Sequence, residues 1–371
     1  MKKGWEYKKL GEVANVNHGK NQKEVEDAHG KYPIYGSGGN IMGYANNYLC
    51  DAGTTILGRK GTINNPIFIE TKFWNVDTAF GISAKEGTDK KYIYYFVKSQ
   101  DWSKKDTGTT LPSLTQKVVK DTAIPIPPLS EQQRIVSHLD SAFAKIDAVA
   151  KNAENSLNDA KALFQSALTK MMEPKEGWGK KNFGDICTFV RGPFGGSLKK
   201  DCFKESGYAV YEQQNAIYNR FSFRYFIDKD KYNSMRRFKV EPGDLIMSCS
   251  GTIGKVAIVP KDAKKGIINQ ALLKLTPSTL IDAEFLKYLM ESNFFKGILS
   301  LNAGGAAINN IASVSTLKKI ELSIPTVEEQ REIVKKLNSI KKVFLNISSN
   351  LTHTLTECAT LKQSILRETF E

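Results

Sequence analysis

The chain repeats one pattern of residues at a fixed distance of 198 positions. Ile126–Val136 reads IPPLSEQQRIV, and Ile324–Val334 reads IPTVEEQREIV. The same offset still holds downstream, where Leu163–Leu168 (LFQSAL) matches Leu361–Leu366 (LKQSIL). Because a long repeat without insertion or deletion requires each copy to adopt the same structure, it fixes the architecture before any other signal. We therefore expect a duplicated unit, in which one globular segment is followed by one long helix.

This repeat predicts four segments: module 1 (residues 1–125), a first long helix (126–175), module 2 (176–324) and a second long helix (325–371). The two modules also align loosely with each other. The matching pairs are Trp5–Val13 with Trp178–Ile186, Gly53–Ile63 with Gly243–Ile253, and Val76–Phe80 with Ile268–Leu272. Short β-rich runs such as Thr55–Leu57 and Pro66–Ile69, bounded by glycine, predict an α/β (α+β) fold for each module.

The first helix carries clear start and stop signals. Pro127 and Pro128 precede the first helix, and Ser130 with Glu131 suits the exposed amides and the positive end of a helix N-terminus. No glycine or proline follows until Pro174. The second helix is expected from about Val327 to the C-terminus.

A heptad-like spacing of apolar and small residues predicts that the helices form a coiled coil. Where the first copy has alanine the second often has a large residue, so the two seams interdigitate best against each other, as an antiparallel pair with pseudo-two-fold symmetry. The predicted seam is Ile135, Leu139, Ala142, Ile146, Val149, Ala153, Ser156, Ala160, Leu163 and Ala167 in the first helix, and Ile333, Leu337, Ile340, Phe344, Ile347, Leu351, Thr354, Cys358, Leu361 and Ile365 in the second.

The excess of positive charge lies almost entirely in the modules. The net charge is +14, and the modules hold 18 Lys/Arg against 13 Asp/Glu and 22 against 14, whereas the helical segments are nearly balanced. A surplus placed in this way favours a polyanionic partner, above all nucleic acid, that is bound at two places. No run of eighteen apolar residues and no signal peptide is recognisable. The five scattered cysteines indicate a reduced, cytosolic protein.

Several glycine-containing loops in the modules could contact DNA, because small residues let the backbone approach phosphate while amides and guanidinium groups pair with base edges. Equivalent placement in both modules favours the Arg59 and Thr252 loops most, and Thr107–Thr110 has a matching glycine turn at Asn302–Gly305. The candidate DNA-binding residues are Tyr35, Ser37, Arg59, Lys60, Thr62, Thr109, Thr110, Gln213, Gln214, Asn215, Arg236, Arg237, Ser250, Thr252 and Lys255.

No catalytic or metal-binding signature is recognisable in the sequence. Pro125–Pro128 lacks the amide and the aromatic residue of an adenine methyltransferase motif, and Ser250–Val256 departs from a P-loop at both ends. The four histidines are dispersed, which does not suggest a metal cluster. Two alternatives to a DNA reader stay open: a structural coiled-coil adaptor, and an autonomous DNA-modifying enzyme with unrecognised motifs.

The order of module, helix, module, helix resembles the specificity subunit of type I restriction-modification systems. The motifs that carry the resemblance are Tyr32–Gly39, Gly58–Thr62, Ile126–Gln133 and Ile324–Gln330. It implies that two target-recognition domains read the halves of a split DNA sequence and that the helices act as a ruler. It also implies docking of two methylation subunits that use S-adenosylmethionine on adenine, with or without a restriction translocase, and no cofactor in this chain itself. Cys249 and Ser250 stand where module 1 has Arg59 and Lys60, so the base contacts of module 2 do not follow from the resemblance.

Overall fold

The computed structural model describes residues 5–302 and 313–371, without the side chains of 300–302. It divides into two compact units: unit 1 is Met1–Asn155 with Leu351–Glu371, and unit 2 is Ser156–Asn350. Each unit thus combines one module with part of both long helices, α4 (Leu129–Met172) and α11 (Val327–Phe370), of 44 residues each. Of the helices in the described ranges, none is both long enough and apolar enough to cross a membrane.

Module 1 in unit 1 is a mixed α/β structure, as predicted. It contains a four-stranded antiparallel sheet in the order β2-β8-β5-β6, a three-stranded sheet β4-β3-β7 and a two-stranded pair β1-β9. The strands are β1 (Glu6–Lys9), β2 (Ala14–His18), β3 (Tyr32–Tyr35), β4 (Ile41–Ala45), β5 (Thr54–Gly58), β6 (Ile67–Ile69), β7 (Trp74–Asn75), β8 (Ala79–Ala84) and β9 (Ala123–Ile126), and the helices are α1 (Leu10–Val13), α2 (Lys90–Ser99) and α3 (Gln116–Lys120).

Module 2 in unit 2 repeats this plan with one additional strand in its second sheet. Its sheets have the orders β11-β18-β15-β16, β13-β12-β17-β14 and β10-β19. The strands are β10 (Gly179–Asn182), β11 (Cys187–Arg191), β12 (Tyr208–Tyr211), β13 (Phe226–Ile227), β14 (Lys239–Val240), β15 (Leu245–Ser248), β16 (Val256–Ile258), β17 (Gly266–Ile268), β18 (Leu272–Pro277) and β19 (Glu321–Ile324), and the helices are α5 (Phe183–Ile186), α6 (Gln213–Tyr218), α7 (Lys229–Ser234), α8 (Ala283–Glu291), α9 (Asn293–Asn302) and α10 (Val314–Lys318).

The two long helices run antiparallel within unit 1. Ile135 of α4 lines a cavity with Ile365 and Thr369 of α11, whereas Asp147, further along α4, forms an ion pair with Lys362. Positions further along α4 therefore lie beside earlier positions of α11, as in an antiparallel pair. This seam is continuous with the module core, since the buried side chains of Leu139, Phe143, Leu366 and Phe370 share one cluster with Tyr92 and Phe96 of α2.

The same antiparallel pairing is present within unit 2. The Phe164 ring of α4 stacks on the Phe344 ring of α11 with a centroid distance of 5.3 Å. Further along α4, Met171 lines a cavity with Lys336 and Ile340. The antiparallel pairing predicted from the sequence is confirmed in each unit.

The predicted seam is wrong at five of its positions. Exposed residues on the surface of the helices are Val149, Ser156, Leu163, Ile347 and Leu361, with Leu163 71% exposed and Leu361 50% exposed. The 3-4 spacing selects one broad stripe on each helix, but a single partner helix covers only the centre of that stripe. These five side chains lie on its uncovered flank.

A buried glutamine from each copy of the repeated motif joins the long helix to its module. The Gln132 side chain accepts a hydrogen bond from the Asp89 amide at 2.9 Å and donates one to the Pro127 carbonyl at 2.9 Å. Its copy Gln330 accepts from the Asp282 amide at 2.7 Å and donates to the Pro325 carbonyl at 2.9 Å. Since Asp89 and Asp282 cap α2 and α8, each glutamine fixes a module helix against the start of a long helix.

We expect Gln132→Ala to lower the free energy of unfolding of unit 1 by about 2–4 kcal/mol, because a partly buried amide and a buried carbonyl both lose their partner. Gln133→Ala is the matched control, since Gln133 is exposed on the next position of the same helix. Urea denaturation followed by circular dichroism measures both variants. Equal midpoints for the two variants would contradict this role of Gln132.

Candidate nucleic-acid interface

In module 1, the predicted loops meet at one end of both sheets. Strand β3 runs parallel to β7, so Tyr35 pairs with Asn75 and the loop after Tyr35 begins where β7 ends. The loop after β5 arrives at the same place, because the Arg59 amide donates to the Thr78 carbonyl at 2.8 Å, just before β8. We call this surface, formed by Tyr35, Ser37, Arg59, Lys60, Thr62, Thr109 and Thr110, edge 1.

Hydrogen bonds to backbone carbonyls hold the loops of edge 1 together. The Asn65 side chain donates to the Gly38 carbonyl at 3.4 Å, and the Gly61 amide donates to the Pro112 carbonyl at 2.9 Å. The second bond places the exposed turn that contains Thr109 and Thr110 beside the Arg59 loop. In the counterpart turn predicted at Asn302–Gly305, positions 303–305 lie outside the described residues.

The Arg59 guanidinium is oriented by its own strand connection. Its Nε donates to the Asp77 carbonyl at 3.0 Å, while the side chain is only half-buried. Desolvation by burial lowers the pKa of the neighbouring His18, and the positive charges of Arg59 and Lys120 lower it further. A neutral imidazole at the end of β2 adds a donor and an acceptor to edge 1. His18 was missed by the sequence analysis, although its position at the end of an aligned strand matches Arg191 in module 2.

Module 2 builds an equivalent surface, edge 2, from Gln213, Gln214, Arg236, Arg237, Ser250, Thr252 and Lys255. Strand β12 runs parallel to β17, and the Asn269 amide donates to the Tyr211 carbonyl at 2.9 Å. The Cys249 amide donates to the Ala271 carbonyl at 2.9 Å, which brings the loop after β15 to the same end. The Gln213 side chain joins the two loops by accepting from the Ser250 amide at 3.0 Å.

The cations of edge 2 surround this pair of loops. Arg236 and Arg237 lie exposed on a short 3-10 turn, Arg236–Phe238, which contacts both β11 and β17. Ser250, Thr252 and Lys255 are exposed on the loop after β15, and the Ser248 hydroxyl fixes that loop by donating to the Thr252 carbonyl at 2.6 Å. The structure thus brings the predicted hydroxyls and cations of module 2 together.

The prediction that Asn215 contacts DNA is wrong. Its side chain is buried, its oxygen accepts from the Glu212 amide at 2.7 Å, and its amide donates to the Arg220 carbonyl at 2.7 Å. Asn215 therefore closes the first turn of α6. Gln214 is half-buried and donates to the Glu212 carboxylate at 3.2 Å. The run of three amides in the sequence is not one reading surface, because helix α6 points each amide in a different direction.

In the described parts of the chain, no group of three or more His, Cys, Asp or Glu side chains is arranged to hold a metal ion. The described cysteines are free thiols. Burial raises the pKa of the Cys249 thiol to about 11, although the charge of Arg191 acts in the opposite direction. This thiol is a protonated part of the loop at neutral pH and not a nucleophile. The chemistry that edges 1 and 2 offer is hydrogen bonding and positive charge.

Comparison with known proteins identifies the family of this chain. The family model of the type I restriction modification DNA specificity domain matches residues 2–158 and 175–357. The chain belongs to this family. The type I restriction enzyme MjaVIII specificity subunit of Methanocaldococcus jannaschii is 26% identical over 78% of this chain and 70% of its own length. A putative type I restriction enzyme specificity subunit of Haemophilus influenzae is 24% identical over 93% of this chain and 90% of its own length.

Solved structures support the fold. One chain from a study of complex assembly and conformational transition of the type I restriction-modification system matches with a TM-score of 0.78 and 19% identity, covering 100% of this chain and 98% of that chain. The HsdS subunit from Thermoanaerobacter tengcongensis matches with a TM-score of 0.54 and 19% identity, covering 100% and 97%. The predicted fold class, two similar α/β modules with two long helices, is confirmed.

Proposed function

We propose that this chain is the non-catalytic, DNA-reading subunit of a type I restriction-modification complex, and that edges 1 and 2 each read one half of a split DNA target. The observation that carries the proposal is that the same loop-bearing edge is built twice, on matched strands, with different side chains. Base-edge recognition needs variable side chains on a fixed frame, whereas phosphate contacts need only positive charge. Each edge has both side chains that differ from those of its copy and positive charge.

The reaction is assigned to partner subunits. In this proposal two methylation subunits bind S-adenosylmethionine and transfer its methyl group to adenine, while this chain positions them on double-stranded DNA. The names of the relatives as specificity subunits support the division of labour. A restriction translocase that joins the same complex would find its target through this chain.

The test is to purify the chain with its methylation partner and to map methylated adenines genome-wide for the parent and for two variants. We expect Arg59→Ala to relax one half of the target and Arg237→Ala to relax the other, each by roughly 1–3 kcal/mol of discrimination, the value of a bidentate base contact. Lys31→Ala is the control, because Lys31 is exposed before β3, at the opposite end of that strand.

Three outcomes are decisive, the first of them in a parallel assay of the chain purified alone. Methylation by the chain without its partner would overturn the non-catalytic role. Failure of the parent complex to methylate a defined bipartite sequence would overturn DNA reading. Uniform weakening for all sequences in Arg59→Ala, with a shallower dependence on salt, would make Arg59 a phosphate contact only.

The exposed flank of the helix pair supports docking of two copies of one partner. In unit 2, Leu163 precedes the stacked Phe164 and Ile347 follows Phe344 by three positions, so both side chains turn to the same flank of the antiparallel pair. In unit 1, the exposed Leu361 and Val149 occupy the copied positions, each 198 residues away. Exposed apolar side chains at repeated positions support the proposal of two equivalent protein-binding surfaces.

We expect Leu163→Glu and Leu361→Glu each to weaken binding of one methylation subunit by about tenfold or more, because a carboxylate would be buried in an apolar interface. The double variant should bind no partner, while binding of the parent reaches two copies per chain. Asn158→Glu, on the opposite flank of α4, is the control for the added charge. Mass photometry of the titrated complex measures the stoichiometry. Two bound copies in the double variant would place the docking surface elsewhere.

The helices also support a role in setting the spacing between the two half-sequences. Both are uninterrupted and pass from one unit into the other, at Asn155 with Ser156 and at Asn350 with Leu351. We expect a four-residue insertion at both points to lengthen the preferred spacer by about two base pairs, because four residues add roughly 6 Å of helix. Methylation mapping reads the result. Changed half-sequences with an unchanged spacer would contradict the ruler.

A further inference from the structure

The loop that follows β11 presents one aromatic side chain to solvent. Phe194 is 91% exposed, although the residues that frame the loop, Pro193 and Leu198, are buried. An exposed phenylalanine forfeits the stabilisation that burial of its ring would give. The loop is thus anchored at both ends and carries an apolar tip.

Backbone contacts fix where this tip lies. The Gly192 amide donates to the Leu272 carbonyl at 2.9 Å, and a Cβ at position 192 would lie 1.9 Å from the Asn269 carbonyl oxygen. Glycine is therefore required for the close approach to the strand ends that form edge 2. The Phe194 carbonyl accepts from the Ser197 amide at 2.9 Å, which closes the turn behind the ring.

The surroundings of Phe194 select the kind of partner. Arg191, Lys199 and Lys200 are exposed within the same stretch, which contains one acid, Asp201, up to residue 203. The Arg236–Phe238 turn contacts β11, the strand from which the loop departs. A flat apolar ring among cations suits a ligand with an anionic backbone and stacked apolar rings inside. DNA has that construction, and apolar side chains that enter its base steps unstack and kink the duplex.

We propose that Phe194 is a wedge that enters the base stack of the half-site read by module 2, so that this half is selected partly by how easily one base step opens. The proposal rests on the DNA-reading function argued above and adds deformability to it. Module 1 has no such wedge at the matched place. Its loop starts with the equivalent Gly19, whose Cβ would lie 1.9 Å from the Val76 carbonyl oxygen, but continues with Lys20 and Asn21.

The experiment uses the complex with its methylation partner and a duplex that carries the mapped methylation target. 2-Aminopurine, which brightens when it is unstacked, is placed in turn at each position of the two halves where the sequence allows it. With the parent we expect brightening at one step of the module 2 half, away from the methylated adenine. Phe194→Ala should abolish that signal and weaken binding about tenfold, in line with the value of one base–aromatic contact.

Two comparisons separate a wedge from a general loss of structure. Phe194→Leu, which keeps an apolar tip, should retain most of the signal, and Leu280→Ala, which shortens an exposed side chain beyond the other end of β18, should change nothing. A mismatch at the brightened step removes part of the cost of opening it. The mismatch should therefore strengthen DNA binding by the parent several-fold and leave the DNA affinity of Phe194→Ala unchanged.

Unchanged brightening and affinity in Phe194→Ala would overturn the wedge while leaving the DNA-reading function intact. Loss of methylation-subunit binding in that variant, with brightening retained, would make the loop a protein contact and would also overturn the wedge. A parent complex that binds no specific duplex would instead overturn the proposed function itself.

Discussion

The buried glutamine at the start of each long helix is the contact on which the rest of this structure depends. Gln132 and Gln330 each bind a backbone amide of the module and a backbone carbonyl before the long helix. A buried amide side chain that satisfies groups on two elements fixes their relative position, because any displacement leaves buried polar groups without partners. The orientation of the strands, and hence of edges 1 and 2, follows from that fixed point within each unit.

In each unit a second polar contact connects the same module helix to the same long helix. The Tyr95 hydroxyl of α2 binds the Asp140 carboxylate of α4, and the Tyr288 hydroxyl of α8 donates to the Asn338 side chain of α11 at 2.6 Å. Asp140 and Asn338 occupy copied positions of the repeat. Burial raises the pKa of Tyr288 to about 12, so its hydroxyl stays a donor at any physiological pH. The joint is thus conserved between the copies in geometry, while the charge of one partner differs.

The sequence predicts the helices and strands of this protein better than it predicts which side chains lie on its surface. The proline and acid signals place the helix starts within a few residues of Leu129 and Val327. The predicted cap Ser130 is wrong, because α4 begins at Leu129 and Ser130 lies inside its first turn. Val149 and Leu163 were assigned wrongly to the seam. The spacing along one helix does not reveal how much of its apolar stripe the partner helix covers. Asn215 was assigned wrongly to DNA, because an amide that closes its own helix turn has the same sequence as one that faces outward.

Phe194 and the two glutamines were missed for a related reason. An aromatic residue within a glycine-rich stretch has no periodicity, so only the exposure of its ring in the folded chain distinguishes it. Gln132 and Gln330 stand in the repeated motif, yet a repeat reveals which residues recur and not which backbone groups they bind. Residues whose role depends on contacts distant in sequence are visible only after folding.

The division between frame and loops explains how one fold can present two different reading surfaces. Many of the polar contacts that hold each module lie in the strands, at the starts of α2 and α8, and at the starts of the long helices. The side chains of edges 1 and 2 stand on loops whose backbone is fixed by bonds such as Arg59 amide to Thr78 carbonyl and Cys249 amide to Ala271 carbonyl. Because those bonds use backbone atoms, the side chains beside them can change from arginine and lysine to cysteine and serine without loss of the frame. Two copies of one scaffold can therefore diverge in the side chains that they present while keeping the same backbone arrangement.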